Sequence, residues 1–244
     1  MKHIADAYEN SSAKYFVGKI YLDKFERRTN MNLKQEIAKG LLSIEAVFLR
    51  PEEPFTWASG IKSPIYCDNR LTLTAPEVRT TVEDGLVQII KENYPDCEVL
   101  MGTSTAGIAH AAIVGHLMNL PMGYVRSSAK DHGRTNQIEG KLLPGQKVVV
   151  VEDLISTAGS AVDTVKVLQE AGAQVLGIAS IFTYGMQKGL DRLSANNIKN
   201  VSLCDLDALV EVAAETGYIQ AEDKEKILKF RDNPSDEGWM RGEK

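Results

Sequence analysis

Two adjacent carboxylates stand at the end of an apolar run in VVVVEDLISTAGSA, residues 148–161. Four valines precede Glu152 and Asp153, and small or hydroxyl-bearing residues fill positions 156–160. The pattern predicts a buried strand, a tight loop and the start of a helix, where free N–H groups and the helix dipole favour an anion. The acids would suit vicinal hydroxyls or hydrated Mg²⁺, since carboxylates at a core edge are costly unless paired. The alternative is an ordinary turn with a serine or threonine as helix cap.

Two further loops carry groups that suit phosphates. GTSTAG, residues 102–107, again places small and hydroxyl residues between a predicted strand and a helix, where main-chain N–H groups could hold a diphosphate. It also approaches the G-x-S-x-G pattern of a nucleophilic serine, but Ala106 replaces the last glycine. The polar stretch 126–140 suggests either a cationic lid over a polyphosphate or a solvated surface loop. Its cationic side chains are Arg126, Lys130, His132 and Arg134.

The elements that must position these loops alternate in type along the chain. Apolar periodicity predicts helices at 32–43, 75–93, 106–120, 158–172, 205–216 and 221–232. Strands are predicted at 97–102, 122–127, 147–153, 175–182 and 201–204, with short strands and turns in 54–70. Continuous apolar strands between helices are typical of a parallel sheet covered on both faces. In such α/β sheets ligands bind at the carboxyl ends of the strands, where all three loops lie.

Composition limits the classes of function. The 244 residues fit one α/β domain with an appendage, and we expect residues 1–30 to be a flexible N-terminal extension of a domain at 31–244. A net charge of −5 argues against a general electrostatic grip on nucleic acid. We find no apolar run of the roughly 20 residues that a membrane helix needs, and no signal peptide. Three widely spaced cysteines form no disulfide framework, which indicates the cytoplasm.

VVVVEDLISTAGS resembles the signature of the type I phosphoribosyltransferases: apolar residues, two acids, two apolar residues and a small hydroxyl-rich loop. FTWASGIKSPIYCDNR (55–70) and VRSSAKDHG (125–133) are similar to the paired signatures of the orotate phosphoribosyltransferases. The resemblance covers about residues 31–235. It implies a parallel-sheet, Rossmann-like core with a small hood formed by the N- and C-terminal segments. It also implies transfer of the phosphoribosyl group from 5-phosphoribosyl 1-diphosphate (PRPP) to orotate, giving orotidine 5′-monophosphate and diphosphate in UMP biosynthesis.

The resemblance also implies roles for individual residues. The expected catalytic residues are Lys130, His132 and Asp153. The expected PRPP-binding residues are Arg126, Lys130, His132, Glu152, Asp153, Leu154, Ile155, Ser156, Thr157, Ala158, Gly159 and Ser160, with the two acids on the ribose hydroxyls. The diphosphate would face Thr103, Ser104, Thr105, Ala106 and Gly107. Orotate would meet Ser156, and Lys62 and Arg70 are the candidates for binding its carboxylate.

The cofactor implied by the resemblance is Mg²⁺, held mainly by PRPP and water near Asp153 rather than by a direct protein site. The implied partners are the two substrates and a second copy of the chain, whose 128–141 loop would reach the neighbouring active site. Neither nucleic acid nor membrane is expected. Two alternatives stay open: a regulator that keeps this fold, and a purine phosphoribosyltransferase, against which Ser156 counts because purine-using relatives carry Asp there. The sequence also departs from many family members, which carry Lys or Arg at Ser127, Ser128, Ala58, Ala106 and Tyr184.

Overall fold

The computed structural model describes residues 32–57, 59–127 and 137–240. The helices are α1 (Leu33–Ser43), α2 (Pro76–Asn93), α3 (Ala106–Met118), α4 (Gly159–Glu170), α5 (Gln187–Ala195), α6 (Leu206–Glu215) and α7 (Asp223–Asp232), with 3₁₀ turns at Asn69–Thr74 and Glu237–Met240. The strands are β1 (Val47–Leu49), β2 (Phe55–Thr56), β3 (Lys62–Ser63), β4 (Ile65–Cys67), β5 (Val99–Thr103), β6 (Met122–Val125), β7 (Ile138–Glu139), β8 (Lys147–Ile155), β9 (Gln174–Thr183) and β10 (Asn200–Asp205). The extension predicted for residues 1–30 lies outside these ranges.

One six-stranded sheet organises the domain, in the order β10-β9-β8-β5-β6-β7. Neighbouring strands run parallel from β10 to β6, and only β7 at the edge is antiparallel to its neighbour. Parallel pairing needs a crossover between strands, and the helices that follow β5 and β8 supply it. The predicted α/β fold with a parallel sheet is therefore confirmed.

The valines of β8 show how both faces of this sheet are buried. Val149 and Val151 belong to one hydrophobic core, which includes α2 and α3, whereas Val148 and Val150 belong to a second core beneath α4. Successive side chains of a strand point to opposite faces, so a run of valines is what a strand buried on both sides requires. This double burial fixes the end of β8, and with it the position of the two acids.

An aromatic cluster joins the chain segments before and after the sheet. The Trp57 ring follows β2 and lies 5.6 Å from the Phe230 ring of α7, which in turn lies 5.7 Å from the Trp239 ring. Trp57 also contacts Tyr184, directly after β9, at 6.1 Å between ring centroids. Such edge-on aromatic pairs stabilise beyond the area that they bury. The N- and C-terminal segments thus pack together beside the carboxyl end of β9, in the manner of the expected hood.

Several element predictions differ from the structure. The strand predicted at 147–153 continues to Ile155, because β9 pairs with it through Thr183. Helix α5 and strands β1 and β7 were not predicted. Helix α5 is only nine residues long and contains Gly189, a poor helix former, so its intrinsic helix propensity is low. Within the described ranges, no helix is both long and apolar enough to cross a bilayer.

Candidate functional site

The three loops singled out in the sequence begin at one edge of the sheet. Strands β5, β6 and β8 are parallel neighbours, so their carboxyl ends lie side by side. The Ser104 hydroxyl donates a hydrogen bond of 2.6 Å to Val125 O at the end of β6. The Thr103 hydroxyl donates one of 3.3 Å to Val151 O of β8. The last residue of β5 and the first residue after it are thereby tied to the two neighbouring strands.

Glu152 is an acid held inside the core edge. Its side chain is 5% exposed, and Oε1 accepts a hydrogen bond of 3.0 Å from the Asp153 N–H. Burial, followed by the neighbouring Asp153 carboxyl, raises the pKa of Glu152 to about 8. Asp153 is half-buried, and its carbonyl oxygen is fixed at 2.7 Å from Asn69 Nδ2. The two acids therefore differ in environment: Glu152 is buried and has a raised pKa, and Asp153 is partly exposed.

The loop after the acids leaves the start of α4 without a side-chain cap. Ala158 is the N-cap residue, and it adopts a left-handed conformation with φ 57° and ψ 18°. Its methyl group cannot accept a hydrogen bond, so the alternative of an ordinary Ser or Thr cap is wrong. Ser156 and Thr157 lie before the cap and Ser160 in the first turn. Uncapped N–H groups at a helix N-terminus form a site for an anion such as a phosphate.

Glycines bring the loop after β5 unusually close to β8. A Cβ on Gly107 would lie 2.3 Å from Val151 O, and one on Gly102 would lie 2.8 Å from Gly107 O. Only glycine fits such a close approach of two main chains. Between them, Thr105 is exposed and Ala106 begins α3, again without a side-chain cap. This loop can therefore offer main-chain N–H groups to a second anion, as expected for residues 103–107.

Arg126 is the described cation nearest to the predicted lid. It follows β6 directly, and its N–H donates to Gln137 O at 2.9 Å, which closes the base of the lid segment. Its Nη1 is buried without a hydrogen-bond partner and lies 3.9 Å from Glu139 Oε1, beyond hydrogen-bonding distance. A buried guanidinium nitrogen with an unused donor suits an anionic ligand. Lys130 and His132, predicted to be catalytic, lie outside the described residues, as does Arg134.

The two cations predicted for the orotate carboxylate have different surroundings. Arg70 forms a two-point ion pair with Asp68, with Nε 2.6 Å from Oδ1 and Nη2 2.8 Å from Oδ2, and its side chain is 64% exposed. Lys62, on β3, donates to the Thr56 hydroxyl at 2.6 Å and is half-buried. Lys62 would exchange the neutral Thr56 hydroxyl for the carboxylate of orotate. Arg70 already binds a carboxylate, that of Asp68. Both assignments stay predictions.

Two residues near the acids were missed in the sequence. Asn69 is fully buried and joins the segment after β4 to the main chain of Asp153, 84 positions away. Tyr184 follows β9, and its main-chain N–H donates to Ile155 O at 2.9 Å. Its ring closes the aromatic cluster against Trp57. Asn69 lies inside the motif at 55–70 and Tyr184 was noted only as a departure from the family. The contacts of both were not predicted, because each contact joins segments that are distant in the chain.

Comparisons with known proteins agree with this geometry. Residues 73–210 match the model of the phosphoribosyl transferase domain. The chain is 60% identical over 208 residues to an orotate phosphoribosyltransferase of Bacillus anthracis, covering 85% of this chain and 99% of the relative. It is 58% identical over 208 residues, with the same coverage, to that of Bacillus cytotoxicus.

Solved structures share the fold. Orotate phosphoribosyltransferase from Aeropyrum pernix matches with a TM-score of 0.65 at 28% identity, over 75% of this chain and 99% of that one. Leishmania donovani UMP synthase matches with a TM-score of 0.69 at 24% identity, over 81% of this chain and 42% of that chain, and shows the fold alone. With the domain match and the identity to curated relatives, these findings show that the chain belongs to the orotate phosphoribosyltransferase family, within the phosphoribosyl transferase domain family.

Proposed function

We propose that this protein transfers the phosphoribosyl group of PRPP to orotate and releases diphosphate and orotidine 5′-monophosphate. The observation that carries the proposal is the 60% identity to a protein named orotate phosphoribosyltransferase, of which the match covers 99% of the length. The uncapped loop that follows Glu152 and Asp153, residues 156–160, supports the phosphoribosyl half of the reaction, because it can hold the 5′-phosphate of PRPP beside two carboxyl groups that can accept hydrogen bonds from the ribose hydroxyls.

In this reaction the bond between ribose C1 and the diphosphate oxygen breaks while C1 bonds to a ring nitrogen of orotate. Positive charge grows on the ribose and negative charge on the leaving diphosphate. The leaving diphosphate would be stabilised by Arg126, Lys130, His132 and the N–H groups of the 103–107 loop, since preorganised donors act most strongly where charge develops. Asp153 would orient the ribose and stabilise its positive charge. A closed lid would keep water from capturing the ribosyl cation.

Mg²⁺ belongs to the same proposal. Mg²⁺ is commonly held by substrate phosphates and water with only one or two carboxylates, so the ion would be held mainly by PRPP and water near the acids Glu152 and Asp153. Asp153 is the more available of the two because it is half-buried rather than buried. When bound, the ion would neutralise charge on the diphosphate. Chelation with EDTA should abolish turnover, and turnover that is insensitive to EDTA would remove Mg²⁺ from the proposal.

The active unit in this proposal is a homodimer in the cytoplasm. Strands β6 and β7 are the two outermost strands at one edge of the sheet, so the segment that joins them begins and ends at that edge. The free thiols of Cys67, Cys97 and Cys204 suit a reducing compartment. The 128–141 loop of each copy would then serve the site of the other.

A base panel tests the reaction. Purified protein with PRPP and Mg²⁺ should consume orotate, followed by its absorbance, and should leave adenine, hypoxanthine and guanine unchanged. Folded protein that turns over none of the bases would overturn the proposal, and turnover of a purine alone would reassign the chain to the purine enzymes. Binding of nucleic acid without turnover would favour the regulator.

Two variants test the lid. Lys130→Ala should lower kcat about a hundredfold, since one charged contact to the leaving group contributes ~3 kcal/mol. Its matched control is Lys166→Ala, an exposed lysine on α4, which should keep wild-type turnover.

Mixing inactive Lys130→Ala with inactive Asp153→Asn tests the dimer. If the loop serves the neighbouring site, mixed dimers regain one complete site and about a quarter of wild-type activity. No recovery after verified subunit exchange would contradict the shared site.

A further inference from the structure

Helix α5 packs against the back of the loop that we propose to hold the 5′-phosphate. A Cβ on Gly189 of α5 would lie 2.4 Å from Ser156 O and 3.5 Å from Ser156 C, so the oxygen is the atom of this carbonyl nearer to α5. The Arg192 guanidinium, one turn further along α5, donates from Nη1 to Thr157 O at 2.9 Å. A Cβ on Gly159 would lie 2.8 Å from the same Nη1, so the guanidinium also lies against the start of α4.

These contacts set the direction of two successive peptide units. The Ser156–Thr157 and Thr157–Ala158 peptide bonds are trans, and in a trans peptide the C=O and the following N–H point in opposite directions. With both carbonyls held toward α5, the N–H groups of Thr157 and Ala158 point away from it, to the ligand side of the loop. In the described residues no hydrogen-bond acceptor engages either N–H. Helix α5 thus contacts this loop on the side opposite to the Thr157 and Ala158 N–H groups.

We infer that Arg192 is a positioning residue for the phosphate cradle: by holding Thr157 O it keeps the Ala158 N–H aimed at the 5′-phosphate of the ribosyl substrate. Its positive charge behind the loop adds to the attraction for a phosphate dianion. The inference rests on the proposed function, because the 5′-phosphate is the ligand that this loop is proposed to hold. It assigns a role to a residue of α5 that no sequence motif marks.

The test separates the two phosphate sites. Arg192→Met removes the charge and the donor but keeps the apolar stem, and Lys188→Met removes an exposed charge from the same helix as the matched control. We expect Arg192→Met to raise the KM for PRPP and the Kd for ribose 5-phosphate about tenfold each. The KM for orotate and the Kd of diphosphate with Mg²⁺ should stay within twofold of wild type. Arg192→Lys, which keeps charge and one donor, should recover most of the affinity.

Different results would overturn the inference. An unchanged Kd for ribose 5-phosphate in Arg192→Met, or equal weakening of ribose 5-phosphate and diphosphate, would make Arg192 a merely structural residue. An equal loss in Lys188→Met would assign the effect to net charge. If Arg192→Met does not fold, the comparison of Arg192→Lys with wild type carries the same test, with a smaller rise in Kd confined to ribose 5-phosphate.

The direct binding measurement distinguishes this inference from the proposed function. Ribose 5-phosphate binding that depends on Arg192, in a wild-type protein that does not convert orotate, would uphold the inference and defeat the proposed function. Conversion of orotate by both wild type and Arg192→Met with the same KM for PRPP would defeat the inference alone.

Discussion

Replacing Glu152 with glutamine should stabilise the ligand-free protein at alkaline pH. Glu152 is 5% exposed, and burial together with Asp153 raises the pKa of Glu152 from about 4.5 to about 8. In the folded protein the neutral carboxyl is therefore favoured, and glutamine is a neutral side chain of the same shape. The substitution removes a charge that the folded state holds at a disadvantage.

The sign and size follow from this pKa. Because the folded pKa lies above the unfolded one, the contribution of Glu152 to stability is complete below about pH 4.5 and is lost as the pH rises through about 8. The complete loss corresponds to roughly 5 kcal/mol, and we expect about 2 kcal/mol after relaxation and water entry reduce the penalty. The free energy of unfolding of Glu152→Gln should thus match wild type near pH 4.5 and exceed it by about 2 kcal/mol at pH 9.

Urea unfolding of the ligand-free protein at several pH values between 4.5 and 9 measures this difference. Glu170→Gln, at the exposed end of α4, is the control and should shift the urea midpoint little at any pH. If the difference in the free energy of unfolding between Glu152→Gln and wild type does not grow with pH, the reasoning is refuted. A wild type that is more stable than the variant at pH 9 would also refute it. Glu152→Gln should also bind PRPP more weakly, since it loses an acceptor for the ribose.

Three further substitutions test the packing around the site. Gly107→Ala should lower the free energy of unfolding by about 2 kcal/mol, because the new methyl group meets a β8 carbonyl at 2.3 Å; an unchanged melting temperature would contradict that contact. Tyr94→Phe should lose about 1 kcal/mol in urea unfolding, because the hydroxyl donates to Ile178 O at 2.8 Å in a buried position. His110→Ala should lose about 3 kcal/mol, since it leaves Glu83 buried without its 2.7 Å partner. Replacing both members by apolar residues should be less damaging, and a double variant worse than His110→Ala would refute this.

The sequence predicts the loops that follow β5 and β8 well, because the residue types in and before each loop largely determine its structure. Four valines before Glu152 require a strand buried on both faces, and a loop of small residues leaves main-chain groups accessible. Which residue caps α4 was open between two interpretations. The structure shows that Ala158 is the cap residue and has a left-handed backbone, a conformation that is uncommon for alanine and therefore could not be predicted from the sequence.

The sequence fails where a contact joins distant segments. Asn69 holds Asp153 O across 84 positions, and Arg192 holds Thr157 O across 35. The buried pair of His110 and Glu83 likewise joins two helices, across 27 positions. Each residue type is ordinary at its position in the sequence. Its structural role depends on a partner that only the fold brings close. The orotate roles of Lys62 and Arg70 stay predictions for the same reason.

The aromatic cluster that joins the segments before and after the sheet gives the protein an internal optical reporter. Trp57 and Trp239 are its two tryptophans, and both contact Phe230. Tryptophan emission therefore reports on this junction and not on the sheet, whose strands and helices dominate the far-ultraviolet circular dichroism. Coincident unfolding curves from the two signals would mark a single cooperative unit, and an earlier emission change would mark a hood that opens on its own.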